Sequence, residues 1–210
     1  MSNNYGKVIL LLGSPHKDGT TYTALKEVAT ALEECGVEAE IVHIGSNHVG
    51  CSACGGCKTL GRCVVDDGIA EVAKKIEEAD GVVLGSPVYY ASPNGGFLAF
   101  LDRLFYSSKR GSLNMKVGAA VVAARRGGLS ATFDALNKYF TINGMPVVSA
   151  NYWNQIHGKC ASDAEMDAEG LQTMRTLGRN MAFLIKAIKL AKQTIPLPDN
   201  EEKIYTNFIK

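Results

Sequence analysis

Five apolar runs, each followed by a segment of helical periodicity, constrain this chain more than any other feature. Lys7–Leu12, Ala39–Ile44, Gly81–Leu84, Val117–Ala124 and Pro146–Ala150 are short, apolar and bounded by glycine, proline or charge. Continuous runs of this length suit strands whose two faces are both covered, as in a parallel sheet. Between them Thr20–Glu34, Ile69–Ala79, Gly96–Tyr106 and Leu129–Tyr139 carry helical spacing, and Asp163–Lys192 reads as one long helix with a break expected near Gly178. Gly36 is placed to end the first helix, and Asp67 to cap the second. Strand–helix alternation with right-handed crossovers gives an α/β domain of the flavodoxin-like type: a three-layer sandwich around a five-stranded parallel sheet of order 2-1-3-4-5.

A length of 210 residues suits one such domain, expected over 1–193 with an irregular segment at 45–66. The tail, 194–210, carries Pro196, Pro198 and apolar anchors at Ile204, Tyr205, Phe208 and Ile209, which suit docking on the body or on another subunit. A net charge of +1 gives no electrostatic case for nucleic acid or an anionic membrane. There is no apolar run long enough to span a bilayer and no leader-like N-terminus, so a cytoplasmic protein is expected. In that reducing setting six cysteines speak for metal or redox chemistry rather than disulfides.

Four of the six cysteines fall in Cys51-Ser-Ala-Cys54-Gly-Gly-Cys57-Lys-Thr-Leu-Gly-Arg-Cys63. Thiolates this close in sequence can reach one inorganic centre. Three outcomes are open. Runs of Cys-x2-Cys-x2-Cys are typical of iron–sulfur ligation, and the spacing favours a [4Fe-4S] cluster. Structural zinc usually uses two separated knuckles, which this run lacks. A loop of packed or redox-active thiols without metal is the third. Lys58 and Arg62 would offset a cluster's negative charge. Cys35 reads as a small core residue, Cys160 as a loop thiol, and His43 and His48 as non-ligands.

Ligands of doubly wound sheets bind beyond the carboxyl ends of the strands, near the switch in strand order. Three loops there have unusual composition. Gly13-Ser14-Pro15-His16-Lys17-Asp18-Gly19-Thr20-Thr21 lacks the spacing of a nucleotide P-loop or a dinucleotide fingerprint. It offers hydroxyls, glycines and a helix N-terminus, the parts that hold a phosphate; a capped turn without ligand is the alternative. Pro87-Val-Tyr89-Tyr90-Ala-Ser-Pro-Asn94 offers flat apolar faces for stacking on a planar ring, or an ordinary turn packed on a neighbouring helix. Arg125-Arg126-Gly127-Gly128 can hold an anion or the charge of a reduced ring, or be a solvated basic turn. Trp153, placed after the expected fifth strand, suits a ring cover or core packing. Asp102-Arg103 suits an ion pair or a subunit contact rather than catalysis.

Taken together, Gly-Ser-Pro-His-x-x-Gly-Thr-Thr at 13–21, Ala79-Asp-Gly81 leading into Gly-Ser-Pro-Val-Tyr-Tyr at 85–90, and Phe100-Leu-Asp-Arg103 resemble the NADPH-dependent FMN reductase-like group. The cysteine run looks like that of iron–sulfur flavoproteins, which join FMN to a [4Fe-4S] cluster. The resemblance implies that Ser14, His16, Gly19, Thr20 and Thr21 hold the FMN phosphate and that Pro87, Val88, Tyr89, Tyr90 and Asn94 line the isoalloxazine. It places Arg125, Gly127 and Gly128 on the far side of the ring, and Cys51, Cys54, Cys57 and Cys63 as metal ligands. It further implies NAD(P)H as co-substrate, a small acceptor such as a quinone, nitro or azo compound, and a homodimer or homotetramer. A protein that exchanges electrons with ferredoxin and has no small-molecule substrate is the second expectation.

Overall fold

The computed structural model describes residues 5–109, 111–198, 201–202, 204–206 and 208. Five parallel strands form its centre: β1 (Lys7–Leu12), β2 (Glu38–His43), β3 (Gly81–Tyr89), β5 (Val117–Ala124) and β6 (Gln155–His157). A two-residue β4 (Ser92–Pro93) runs antiparallel to the end of β3. The order β2-β1-β3-β5-β6 is the expected 2-1-3-4-5 once β4 is set aside.

Alternation along the strands explains why the runs are apolar throughout. Val8, Leu10 and Leu12 enter one core with Val117, Val121 and Ile156. Ile9 and Leu11 enter the other with Val82, Leu84 and Val122. The first core is covered by α1 (Thr20–Glu34) and α7 (Ala168–Ala191), the second by α3 (Ile69–Glu78), α4 (Gly95–Ser107) and α5 (Leu129–Thr141). Met174, Leu177, Met181 and Ile185 of α7 are at most 2% exposed, and each such burial stabilises by about 1.5–3 kcal/mol. Two short helices, α2 (Gly56–Leu60) and α6 (Ala161–Met166), complete the fold. Among the described residues no helix is long and apolar enough to cross a membrane.

The structure corrects several expectations. β3 does not stop at Leu84: it stays paired with β5 as far as Pro87 and turns back only after Tyr89. Proline is tolerated there because it closes the ladder. The fifth strand is not Pro146–Ala150. Val147 makes an isolated bridge to Gly118, the chain then leaves the sheet, and it rejoins β5 at Gln155–His157. Trp153 therefore precedes the last strand instead of following it. The long C-terminal helix is interrupted at Asp167, whose carboxylate accepts from Gly170 N–H at 2.9 Å and caps α7. Gly178 lies inside an unbroken helix, where a Cβ would stand 2.7 Å from the Ala31 Cβ and 2.8 Å from the Val28 carbonyl oxygen. Its role is close approach of α7 to α1. In the tail, Ile204, Tyr205 and Phe208 are exposed, and Ile209 lies outside the described residues.

Candidate functional site

β1 ends against β3 at the switch in strand order, where Gly13 N–H donates to the Gly85 carbonyl at 2.8 Å. Ser14 follows, buried, with its hydroxyl accepting from His16 N–H at 3.1 Å and its carbonyl 2.8 Å from His43 Nε2. The His16 side chain is exposed. α1 starts on Gly19, whose extended backbone supplies no side-chain cap. The first-turn N–H groups of α1 thus lack intrahelical partners and carry the positive end of the helix dipole. Thr21 is buried beneath this end, and Thr20 Oγ1 is 3.4 Å from the Gly158 carbonyl beyond β6. The expected phosphate residues are therefore gathered at one helix start.

The β3–β4 turn is the strained part of the site. Val88 pairs with Pro93 and Tyr89 with Ser92, leaving Tyr90 and Ala91 as a two-residue hairpin loop. Their φ values are 50° and 57°, the left-handed values that a type I′ turn needs and that side chains with a Cβ disfavour. Each costs on the order of 1 kcal/mol or more. Tyr90 is fully exposed and Tyr89 is 45% exposed, so neither ring packs into the core. Asn94 is buried, with Oδ1 accepting from Phe97 N–H at 3.0 Å as the cap of α4, and its own N–H donates to Ser86 Oγ at 3.0 Å.

The third loop touches the second. Gly128 has φ 90°, and a Cβ there would lie 2.8 Å from Ala91 Cα and 2.9 Å from Val88 Cγ1. Gly127 faces open space, and Arg125 is exposed. Tyr152 and Trp153 stack edge to face at 4.9 Å, both about half exposed.

The cysteine segment folds over α4. The Ser46 carbonyl oxygen would stand 1.9 Å from a Cβ at Gly96, and His48 lies 4.8 Å from the Phe100 ring. All four cysteines line one cavity of about 210 Å³, closed by Val64, Val65, Arg103, Tyr106 and Ser107. Cys51 and Cys54 are exposed, Cys57 is half-buried, and Cys63 is buried in the second core. The Gly56 N–H and the Ser52 hydroxyl hold the Cys54 thiol below its usual range. Among the described residues no three His, Cys, Asp or Glu side chains converge into a metal-holding group. The donor set nonetheless fits a thiolate-bound centre: four sulfurs line one cavity with Arg103, the single cation in its wall among the described residues, whose buried Nε has no partner among them.

Neither Lys58 nor Arg62 lines this cavity. Arg62 instead donates to the Cys63 carbonyl at 3.5 Å. Arg103 was not legible as a site residue, because 40 positions separate it from the sulfur it meets. Its Nη1 is 3.9 Å from Cys63 Sγ, and its two terminal nitrogens donate to the Asp67 carboxylate at 3.1 and 2.5 Å. Asp67 is therefore an ion-pair partner and not the cap of α3, which begins on Gly68 without a side-chain cap. The Arg103 guanidinium holds the Asp67 carboxyl below the usual carboxylate range, outweighing partial burial, and His48 Nδ1 adds a contact at 3.0 Å.

The sequence pattern of the NADPH-dependent FMN reductase family matches residues 6–158. An iron–sulfur flavoprotein of Methanocaldococcus jannaschii is 36% identical over 191 residues, covering 87% of this chain and 99% of the relative. A solved structure of RosB with bound 8-demethyl-8-formylriboflavin-5′-phosphate superposes with a TM-score of 0.68 at 14% identity, covering 97% of this chain and 92% of that one. A flavodoxin, WrbA-like protein from Agrobacterium tumefaciens gives 0.61 at 20% identity, covering 87% and 98%. These two structures bear on the fold alone, which is flavodoxin-like. The chain belongs to the NADPH-dependent FMN reductase family and, within it, groups with the iron–sulfur flavoproteins.

Proposed function

We propose that the protein is an FMN-dependent oxidoreductase that takes electrons from NADPH, NADH or a reduced carrier and passes them to a small acceptor such as a quinone, nitro or azo compound. Bound FMN supplies the hydride and single-electron chemistry. The chain supplies the placement. The first-turn amides of α1, with the Ser14, Thr20 and Thr21 hydroxyls beside Gly19 and His16, hold the phosphate by hydrogen bonds and helix dipole. Pro87, Val88, Tyr89 and Tyr90 wall the ring, and Asn94 fixes the helix start beneath them. Exposed Arg125, in the loop whose Gly128 packs on that turn, holds negative charge at the ring edge.

The observation that carries this reading is the hairpin at Tyr90–Ala91, held in left-handed backbone geometry against Gly128 at the carboxyl edge of the sheet. Strain of this kind persists where a ligand clamp requires it. The four-cysteine cavity favours a second component, a [4Fe-4S] cluster on Cys51, Cys54, Cys57 and Cys63. A single zinc ion draws four sulfurs to about 2.3 Å from one point, whereas a cluster spreads its thiolates over a larger body. The run Cys51-x2-Cys54-x2-Cys57, without a second separated knuckle, favours the cluster. With a cluster, one-electron exchange with ferredoxin becomes open to the protein. Exposed Val49, Leu60, Val64 and Tyr106 near the cysteines support a homodimer or homotetramer.

The test is anaerobic purification, a visible spectrum, and iron, zinc and sulfide analysis. NADPH, NADH and reduced ferredoxin are then compared as donors in single-turnover reduction. Flavin absorbance with fast reduction by a pyridine nucleotide supports the oxidoreductase. Fast reduction by ferredoxin alone supports the carrier-linked form. A colourless protein that takes up no FMN refutes both.

A further inference from the structure

Arg103 is only 2% exposed, yet among the described residues it has one carboxylate partner, and that partner is itself partly open to solvent. A guanidinium presents five N–H donors in a fixed fork. Two of its nitrogens meet Asp67, Nη1 also faces Cys63 Sγ at 3.9 Å, and the buried Nε has no hydrogen-bond partner among the described residues. A plain structural ion pair would not require the fork to line the cysteine cavity, nor leave a buried donor idle. The orientation is itself enforced: Asp67 grips the fork, and His48, with Nδ1 on Asp67 and Nε2 2.8 Å from the Ile44 carbonyl, grips Asp67. Among the described residues Arg103 is the one charged side chain in the cavity wall, and it approaches the one cysteine of the four that is buried.

We infer that Arg103 is a positioning residue that acts through the Cys63 sulfur to raise the reduction potential of the centre held by the four cysteines. This rests on the cluster reading given above. Uptake of one electron from a one-electron reductant adds one negative charge to the thiolate-bound centre. No bond forms or breaks at Arg103 and no proton moves there. A fixed cation beside a ligand sulfur, in a buried wall where water screens little, favours the more negative, reduced form. The effect is directional: it falls on Cys63 and spares the exposed Cys51 and Cys54, whose charge water already screens.

The experiment uses the purified holoprotein, titrated anaerobically with dithionite at a series of fixed potentials, with iron and sulfide measured per chain. Arg103→Gln removes the charge and keeps a polar side chain. The expected result is at least about a tenfold rise in the oxidised-to-reduced ratio of the iron–sulfur signal at a fixed potential, a lowering of about 59 mV for a one-electron couple. The FMN couple in the same sample should stay where it is. Arg103→Lys, which restores a cation, should return the signal to within about threefold of wild type. Should Arg103→Gln lose iron, the double variant Arg103→Gln/Asp67→Asn replaces the ion pair with two amides and is expected to shift in the same direction. Iron-loaded charge-removing variants that titrate with the wild type would overturn the inference alone. Wild-type protein without iron and sulfide would overturn the cluster reading and the inference together.

Discussion

Replacing Gly128 with alanine tests whether the hairpin and the arginine loop form one clamp. Two costs can be worked from the geometry. An L-residue in the left-handed region costs about 1–2 kcal/mol, and Gly128 sits at φ 90°. The new methyl would also meet Ala91 Cα at 2.8 Å and Val88 Cγ1 at 2.9 Å. The first of these is backbone and yields only if the turn moves, so overpacking adds about 1–3 kcal/mol. The FMN-loaded protein, with both loops held in place, should lose about 2–5 kcal/mol in all. The loss divides between two measurable quantities. Urea unfolding of the FMN-free protein reports the part that remains when the turn is free to shift. Flavin-fluorescence titration reports the part spent in bringing the turn back. At the low end, 2 kcal/mol carried wholly by binding raises the FMN Kd about 30-fold. Gly127→Ala is the control: nothing lies within 4 Å of its Cβ, so both measurements should stay near wild type. Identical behaviour of the two variants would refute the clamp.

Three further outcomes follow from the geometry. Thr20→Glu places a carboxylate at the uncapped start of α1, where it stabilises the helix but repels a phosphate, so the variant should fold normally and lose FMN on gel filtration; retention at wild-type affinity would refute the phosphate site. Gly178→Val forces a side chain against the Val28 carbonyl and Ala31 Cβ and should lower the unfolding free energy obtained from urea titration by about 2 kcal/mol or more, with FMN affinity little changed in the folded fraction. Because Asp67 has its pKa depressed in the folded protein, chiefly by Arg103, its contribution is full above the unfolded value near 4 and is lost as the pH falls further, through the depressed value; Asp67→Asn should flatten this part of the acid-unfolding curve, and an unchanged acid limb would argue against the ion pair.

Which parts were legible in the sequence depends on how local the deciding forces are. β1 and β5 are legible because both faces are covered, so almost every residue is apolar and no alternation is needed. The end of β3 is not, because Gly85-Ser86-Pro87 has the composition of a turn while the β5 ladder holds it extended. The last strand misleads in the opposite sense. Pro146–Ala150 is apolar enough for a strand, but the sheet takes only Val147 there and then the mixed Gln155–His157, with the Asn154 side chain donating to the Ala120 carbonyl at 3.0 Å where the chain returns. Gly178 looks like a breaker because propensity counts only the helix it belongs to, whereas its cause is a second helix. The three strand-end loops and the four sulfurs stand out in the sequence by composition and spacing. Arg103 does not, since nothing within its own helix signals that its partners come from the loop after α2.

α4 ties the two candidate sites together. Its cap, Asn94, belongs to the hairpin loop, and Arg103, Tyr106 and Ser107 face the cysteine cavity. Nine residues of helix at 1.5 Å each set about 13 Å between Asn94 and Arg103 along the axis. The cysteine segment is fixed to the same helix at both ends: the Ser46 carbonyl closes on Gly96, a contact that admits no side chain, and Cys63 and Asp67 meet Arg103. A loop of some twenty residues carrying exposed thiols would otherwise adopt many arrangements, and the entropy of ordering it would fall on whatever it binds. Anchoring its two ends on a rigid helix removes much of that cost beforehand. The same helix fixes the distance from the thiols to the strained hairpin. Inserting one residue between Asn94 and Arg103 would rotate the guanidinium out of the cavity by about 100°, so the two sites can be varied in chemistry but not in spacing.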